Sequence, residues 1–350
     1  MQTKVSRLNL ETFNKVKDDV QHHLQKYFKT DICYHMPEKI EFGDIDIIYV
    51  IATDHGITML QIIEKIFHPK EIVVSGDVLS FTYFLEETLE FYQVDMILVE
   101  DLTIGKFYLS YGDAGNLLGH MTDRHGIKFG TTGLYMYLHN RILEDSGVER
   151  GFASAKRLKI ALHDCPKEIC DFLGMDFNAW GRFTTDMQVF EWIKTCNMFN
   201  KETFNIGGSN HRKKYNRRKM YSSFCDSIET FDEKSATAFG NVKLVPDDTG
   251  IVAEQLRAIH YFGKETELNV LVQACKDQYT VATERRTKFD GQKFLAYGIE
   301  NKTLGDTMIS FKRYIMARYD PPDFEHWLDR SDCDQVDVSL ADFLNNKVKG

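Results

Sequence analysis

Hydrophobic residues recur at helical spacing near the start of the chain and at strand spacing soon afterwards. Over residues 8–28, apolar side chains return every three or four positions, which predicts a helix. Residues 44–51 alternate between polar and apolar positions and are rich in β-branched side chains, which predicts a strand. The spacing turns helical again over residues 59–67. Strand-like runs then occupy residues 72–74, 79–84 and 91–99.

The turn signals between these runs predict an α+β fold. Gly76-Asp77 separates two apolar runs and favours a tight turn, so the last three strands should form an antiparallel meander. We therefore expect a mixed or antiparallel sheet with helices on one face. From Lys159 onward the spacing is mostly helical, which predicts mainly helical regions after the sheet.

Cap and breaker residues divide the second half of the chain. A helix over residues 166–173 should end at Gly174, and Thr185 with Gln188 has the pattern of a capping box at the start of the next helix. Residues 231–250 are rich in Asp, Ser, Gly and Thr and interrupt the helical spacing. We expect three domains, covering residues 1–150, 151–232 and 233–350.

Composition narrows the class of protein and its surroundings. Of the 350 residues, 43% are hydrophobic, yet the longest apolar runs fall well short of the roughly 20 residues that a membrane span needs. We therefore expect no membrane partner. A polar N-terminus, and seven scattered cysteines without a CxxC pair, favour reduced thiols in the cytoplasm. The formal net charge is −9, so a locally basic segment would stand out.

Three acidic residues lie in or next to the predicted strands. Side chains two positions apart on a strand share a face, so Asp44 and Asp46 should project together, away from the apolar residues between them. Asp95 stands between apolar neighbours in a strand, where burial is unfavourable unless the carboxylate is paired or bound to metal. The alternative for a DxD sequence at a strand start is a pair of solvated turn residues.

Three carboxylates on one sheet face predict a magnesium site. Their mutual repulsion would raise at least one pKa unless a cation neutralised them. Mg²⁺ takes oxygen ligands from carboxylates, water and substrate phosphates. Two such ions about 4 Å apart activate an attacking hydroxyl and stabilise a leaving pyrophosphate, which is the chemistry of nucleotidyl transfer.

The sequence FGDIDIIYV followed by QVDMILVE resembles the metal-binding strands of the polymerase-β-like nucleotidyltransferase superfamily. This resemblance covers residues 1–140 and implies that Asp44 and Asp46 are the paired metal ligands. It also implies that Asp95 is the third carboxylate, which helps to deprotonate the incoming hydroxyl. Residues 111–135 and 172–193 are similar to uncharacterised nucleotidyltransferase-like proteins of phages and large DNA viruses, for which the compartment would be the host cytoplasm.

The segment before the paired acids departs from the superfamily. The Gly-Ser pair that grips the triphosphate is absent from residues 30–42. Gly43 and Lys39 are the remaining candidates for nucleotide binding, with Lys39 either a phosphate counter-charge or a solvated lysine. Several glycines between residues 111 and 134 supply backbone freedom, either for a nucleotide pocket or for helix caps and turns. They are Gly115, Gly119, Gly126, Gly130 and Gly133.

One segment concentrates positive charge within this acidic chain. We name residues 211–219 the basic segment, and its six cations are Arg212, Lys213, Lys214, Arg217, Arg218 and Lys219. Such a cluster neutralises backbone phosphates, and the following Tyr221 and Phe224 would stack on unpaired bases. The alternative is a solvated helical face. We favour contact with a nucleic acid or a triphosphate, because the surrounding chain is acidic.

Taken together, these features predict a template-independent nucleotidyltransferase. It would use two Mg²⁺ ions to transfer a nucleotide from a nucleoside triphosphate to an RNA 3′ end or a tRNA-like acceptor. A second hypothesis is nucleotidylation of a protein or small molecule, and a third is a catalytically inactive descendant that binds nucleic acid. Residues 298–308 are similar to the C-terminal helical part of bacterial-type tRNA nucleotidyltransferases and poly(A) polymerases, which implies that Lys302 and the amides after Leu304 hold a phosphate.

Overall fold

The computed structural model describes residues 1–51, 58–204, 209–229 and 246–347. The chain clusters into two compact units. The first unit contains Met1–His139 and Arg157–Leu268, and the second contains Asn140–Lys156 and Asn269–Gly350. The boundary expected at residue 150 lies in the short stretch that clusters with the second unit, and the boundary expected at residue 232 lies outside the described residues.

The strands all belong to the first unit, and helices occur in both. The strands are β1 (Leu8–Asn9), β2 (Lys29–Ile32), β3 (Glu41–Phe42), β4 (Ile45–Val50), β5 (Ile72–Ser75), β6 (Val78–Leu85), β7 (Glu90–Leu98), β8 (Lys128–Gly130), β9 (Gly133–Tyr137) and β10 (Lys159–His163). The first ten helices are α1 (Leu10–Leu24), α2 (Met59–Phe67), α3 (Leu102–Leu109), α4 (Ala114–Arg124), α5 (Asn140–Asp145), α6 (Arg150–Ser154), α7 (Pro166–Leu173), α8 (Asp186–Lys194), α9 (Ser209–Arg217) and α10 (Lys219–Glu229). The next six are α11 (Asp248–Tyr261), α12 (Glu265–Lys288), α13 (Gly291–Ala296), α14 (Asn301–Tyr319), α15 (Phe324–Arg330) and α16 (Cys333–Lys347). Short 3₁₀ helices occupy Phe177–Ala179 and Lys201–Phe204.

A five-stranded mixed sheet forms the centre of the first unit. Its strand order is β2-β4-β7-β6-β5. Strand β4 runs parallel to β7, whereas the other neighbouring pairs are antiparallel. Strands β5, β6 and β7 form the predicted meander, and Gly76 adopts a φ of 58° in the first turn. The predicted α+β class, with a mixed sheet followed by mainly helical regions, is therefore confirmed.

One face of this sheet is apolar and packs under α1 and α2. Ile45, Ile47, Val94 and Met96 are buried on it, together with side chains of both helices. Full burial of one such aliphatic side chain contributes about 1.5–3 kcal/mol to folding. This packing fixes which way β4 and β7 face, because a strand with one buried face cannot slip by one residue without exposing its apolar side chains.

The opposite face is covered only in part. Asp46 remains accessible to solvent, whereas Ile48, two residues further along β4, is buried with Val99 beneath α3, and the half-buried Ile97 packs against them. Helices were predicted on one face of the sheet, and α3 covers part of the other face as well. Helix α3 packs over the strand positions that follow the acids, so the Asp46 side chain stays exposed to solvent.

A small antiparallel sheet in the order β10-β9-β8 follows α4. Gly133 in its hairpin has a φ of 92°, and a Cβ atom there would lie only 2.2 Å from the carbonyl oxygen of His163. The glycines between residues 111 and 134 belong to α4, to this hairpin and to the adjoining turns. Strand β10 begins at Lys159, where helical spacing was expected to begin. That expectation was wrong for the five residues of β10, because so short a stretch does not distinguish helical from strand spacing.

Helix ends follow the predicted caps with one difference. Helix α7 ends at Gly174, which adopts the predicted left-handed conformation with a φ of 71°. At the start of α8 the Thr185 hydroxyl accepts a hydrogen bond from the Gln188 amide nitrogen at 3.3 Å. The reciprocal bond goes elsewhere, because the Gln188 side chain reaches past the cap and accepts from the Thr184 amide at 2.7 Å. The capping box is therefore only half formed.

The second unit has an aromatic core. Phe289, Phe294, Phe311 and Phe324 are buried together, and the ring of Phe289 lies 5.0–5.4 Å from the other three rings. Such spacing is favourable for edge-to-face and offset stacking.

Among the described residues, no helix combines the length and the apolar character that crossing a membrane requires.

The helix start implied near Leu304 lies earlier in the structure. Helix α14 begins at Asn301, so the amides after Leu304 are inside the helix and are not at its N-terminus. Lys302 pairs instead with Glu300, with 2.7 Å between Nζ and Oε2. The phosphate site implied for Lys302 and these amides was therefore wrong, because interior amides donate to carbonyls of the preceding turn.

Candidate metal centre

Strand register places two of the predicted acids directly beside each other. In the parallel pair of β4 and β7, Asp46 stands opposite Asp95. Asp44 immediately precedes β4 and lies two positions before Asp46, so it projects from the same face. Each of the three carboxylates offers an oxygen atom within 4.8 Å of the other two. The structure thus brings together all three predicted acids, which we name the acidic cluster.

The acidic cluster has the donors that a hard divalent cation takes. Carboxylate oxygens are the protein ligands of Mg²⁺, which keeps several waters and binds substrate phosphates at its remaining positions. Within the described part of the chain, no other group of three His, Cys, Asp or Glu side chains comes this close. The residues present therefore fit a magnesium site.

The electrostatics of the cluster also favour a bound cation. Loss of hydration, followed by the charges of Asp44 and Asp95, raises the pKa of Asp46 to about 7, although the side chain stays accessible to solvent. Loss of hydration and the charge of Asp95 raise the pKa of Asp44 in the same direction. A carboxylate that resists ionisation gains most from a cation that neutralises its neighbours.

Gln93 orients the third acid from the same face of β7. Its Nε2 atom donates to both carboxylate oxygens of Asp95, at 2.9 and 3.2 Å. On the other side, Ser80 of β6 pairs with Asp95 in the antiparallel ladder. Hydrogen bonds to a metal-binding carboxylate fix its direction, so Gln93 is a residue that holds Asp95 in place.

Two cations lie next to the acids. The charge of Lys39 lowers the pKa of Asp44 and Asp46, and its Nζ atom lies 4.8 Å from the centre of the Phe42 ring. Arg7 also lowers the pKa of Asp44, and its Nε atom donates to Glu41 at 2.6 Å. No local pattern in the sequence indicates a role for Arg7, which lies far from Asp44 along the chain.

The structure gives no steric reason for the glycine predicted to bind nucleotide. A Cβ atom at Gly43 would meet the Arg7 guanidinium at 3.9 Å, which is an ordinary van der Waals separation. Gly43 directly precedes Asp44 and lies beside Arg7. Its role in nucleotide binding stays a prediction.

A cavity of about 650 Å³ opens beside these cations. Its volume lies within the range of small-molecule sites, at roughly 300–1,000 Å³. The charged side chains of its lining are the cations Arg7, Lys39 and Lys219 and the acids Glu38, Glu41 and Asp186. The three acids of the cluster do not line the cavity, but Arg7 and Lys39, whose charges lower the pKa of Asp44, do.

The basic segment lies on α9 and at the start of α10. Five of its six cations are exposed, and Lys214 is half-buried. Tyr221 and Phe224, however, are fully buried, and the prediction that they stack on bases was therefore wrong. Both rings point into the core because they share an apolar helix face opposite the charged one.

The fold and the site define the class of this protein: an α+β protein with an acidic cluster suited to a divalent cation. Comparison with protein-family models and with curated protein sequences gives no match. Among solved structures, the chain is similar to polymerase beta from Leishmania infantum in a ternary gap complex. That similarity has 16% sequence identity and a TM-score of 0.34, and it covers 49% of this chain and 69% of the other.

At this distance the structural similarity assigns no activity to the chain. The resemblance to phage and viral proteins, and to tRNA nucleotidyltransferases, stays a prediction.

Proposed function

We propose that this protein is a template-independent nucleotidyltransferase that transfers a nucleotide from a nucleoside triphosphate to an RNA 3′ end or a tRNA-like acceptor. The observation that carries the proposal is the acidic cluster, with Asp44, Asp46 and Asp95 within 4.8 Å of one another on one sheet face. Three such carboxylates resist ionisation together unless cations join them.

The three acids have separate roles in the proposed reaction. Asp44 and Asp46 hold two Mg²⁺ ions, which when bound polarise the reacting phosphate and stabilise the leaving pyrophosphate. Asp95, oriented by Gln93, takes the proton of the attacking hydroxyl. The hydroxyl oxygen forms a bond to the α-phosphorus while the α–β phosphoanhydride bond breaks and pyrophosphate leaves. We assign Lys39, which lines the neighbouring cavity, and the backbone at Gly43 to binding of the triphosphate.

The basic segment supports a polyanionic acceptor. In a chain of net charge −9, six cations are concentrated in nine residues, and most of them are exposed. Each phosphate that such a cation neutralises releases counterions and strengthens binding. We assign Arg212, Lys213, Lys214 and Arg217 to the acceptor, because they lie on α9 and do not line the cavity.

Transfer of label from a radiolabelled nucleoside triphosphate tests the proposal. Wild-type protein with Mg²⁺ should label RNA, and Asp44→Ala should lower the rate by about a thousandfold or more, since loss of a group that stabilises the reacting charge costs roughly 10²–10³ or beyond. Glu86→Ala is the matched control, because Glu86 is an exposed acid in the turn between β6 and β7, outside the acidic cluster.

Other outcomes separate the alternatives. Label on protein hydroxyls or on a small molecule, with none on RNA, would replace the RNA acceptor but keep the metal site. Activity retained by Asp44→Ala would remove the acidic cluster from the mechanism. An inactive nucleic-acid-binding protein would show RNA binding, but no Mg²⁺-dependent binding of any triphosphate in calorimetry.

A further inference from the structure

Arg218 differs from the other cations of the basic segment. It lies between α9 and α10, and its Nη1 atom is 2.5 Å from Oδ1 of Asp113. Asp113 is buried at the start of α4, and the side-chain amide of Asn116 also donates to it, at 3.3 Å. A buried carboxylate needs such partners, and removing one of them leaves an uncompensated charge. Arg218 therefore has a buried acidic partner within the protein.

The neighbouring residues extend this ion pair into a fixed junction. The Asp113 amide donates to the sulfur of Met220 at 3.3 Å. Gly112 has a φ of 65°, and a Cβ atom on it would lie 3.0 Å from the same sulfur. The turn before α4 is thus closely packed against Met220 at the start of α10, two residues after Arg218.

This junction forms one wall of the cavity beside the acidic cluster. Gly112, Lys219 and Met220 all line that cavity, together with Arg7 and Lys39. Lys219 is exposed and makes no ion pair with another described residue, and the same is true of Lys39. Two cations without an ion-pair partner in the described part of the chain therefore share a cavity with the paired Arg7. The charge of Lys39 acts on Asp44 and Asp46, whereas no described acid is paired with Lys219.

We infer that Lys219 is a phosphate ligand of the cavity and that Arg218 is the residue that positions it through Asp113. The inference rests on the proposed function, in which the phosphates belong to the nucleoside triphosphate. It divides the basic segment into three parts. Residues 212–217 bind the acceptor, and Arg218 anchors the start of α10. Lys219 binds the triphosphate together with Lys39, and the two lysines take the place of the Gly-Ser pair that is absent from residues 30–42.

Calorimetry with inorganic tripolyphosphate and Mg²⁺ tests the inference without catalysis. Lys219→Met should weaken binding about tenfold, because it removes a charge-assisted hydrogen bond to phosphate. Arg218→Met should weaken binding to a similar degree by displacing Lys219. If Arg218 acts only through Lys219, the double variant should be no more than about twofold weaker than either single variant, whereas independent effects would multiply.

Matched variants separate positioning from charge and from folding. Arg217→Met removes the adjacent charge without touching Asp113, so it should weaken RNA binding and change tripolyphosphate affinity less than twofold. Arg218→Lys keeps the ion pair and should keep affinity within threefold, with an unchanged melting temperature. Should Arg218→Met not fold, Asp113→Asn loosens the same ion pair and should reproduce the tenfold loss.

Three outcomes would overturn the inference: full affinity in Lys219→Met, multiplicative losses in the double variant, or equal losses in Arg217→Met and Arg218→Met. Failure of the proposed function looks different. A wild-type protein that binds tripolyphosphate through Lys219 but transfers no nucleotide would refute the transferase and retain the phosphate site.

Discussion

The acidic cluster and the basic segment are two concentrations of opposite charge, and they are built in different ways. The acids stand on paired strands whose opposite face is buried under two helices, and their relative positions follow from strand register. The cations stand mostly exposed on α9 and at the start of α10, on long flexible side chains. A sheet thus fixes the negative charges, whereas most of the positive charges are free to adapt.

This difference matches what each region is proposed to do. A metal centre needs its ligands within a few tenths of an ångström, because a misplacement of about 1 Å can cost a hundredfold in rate. Binding to a phosphate backbone tolerates movement, because its strength comes from counterion release. Among the cations of the basic segment, Arg218 has an ion pair with the buried Asp113, which holds its guanidinium in place.

Among substitutions that keep the charge, the largest effect should come from displacing one carboxylate of the acidic cluster. Asp95→Glu adds one methylene and should lower kcat about a hundredfold, because the sheet cannot move to compensate. On α9, Lys213→Arg should change RNA affinity less than threefold, as measured by filter binding. A tolerated Asp95→Glu would show that the sheet does not fix the site.

A change of pH should have a smaller effect, on the affinity for Mg²⁺. The pKa of Asp46 is raised to about 7, so the fraction of protein that binds Mg²⁺ falls as the pH drops below that value. Mg²⁺ affinity should fall about tenfold for each unit below pH 7 and level off above it, measured by calorimetry from pH 5.5 to 8.5. RNA binding at constant salt should change far less over this range. An Mg²⁺ affinity independent of pH would contradict the raised pKa.

The raised pKa of Asp46 also predicts how the stability of the metal-free protein varies with pH. Because the folded state holds the Asp46 proton more tightly than the unfolded state, stability should fall as pH rises from about 4 towards 7, the reverse of an ion-paired carboxylate. Added Mg²⁺ should restore stability above pH 7, as a ligand that binds the folded state does. Thermal melts with and without Mg²⁺ measure both effects.

The smallest effect should come from the exposed cations. Arg212→Gln with Lys213→Gln should weaken RNA binding several-fold at low salt and reduce the slope of log affinity against log salt by about 1.4, since each single-strand phosphate that is no longer neutralised accounts for about 0.7. Lys26→Gln, an exposed lysine outside the basic segment, should leave the slope unchanged. A slope that stays the same in the double variant would exclude these two residues from the acceptor site.

The amino-acid sequence was sufficient to predict the elements that carry the acids. The alternation around Asp46 and Asp95 revealed two strands and the face on which each acid lies, because the period of a strand is a local property. It also predicted the meander at Gly76 and the end of α7 at Gly174, since both depend on a glycine in a left-handed conformation. The class of fold follows from these local patterns.

The packing of distant segments determined which residues meet. It placed Asp46 opposite Asp95, brought Arg7 to the acids, buried Tyr221 and paired Arg218 with Asp113. Each of these arrangements joins segments far apart along the chain. Hydrophobic periodicity reports which face of an element is buried, but the partner against which that face packs depends on the folding of the whole unit.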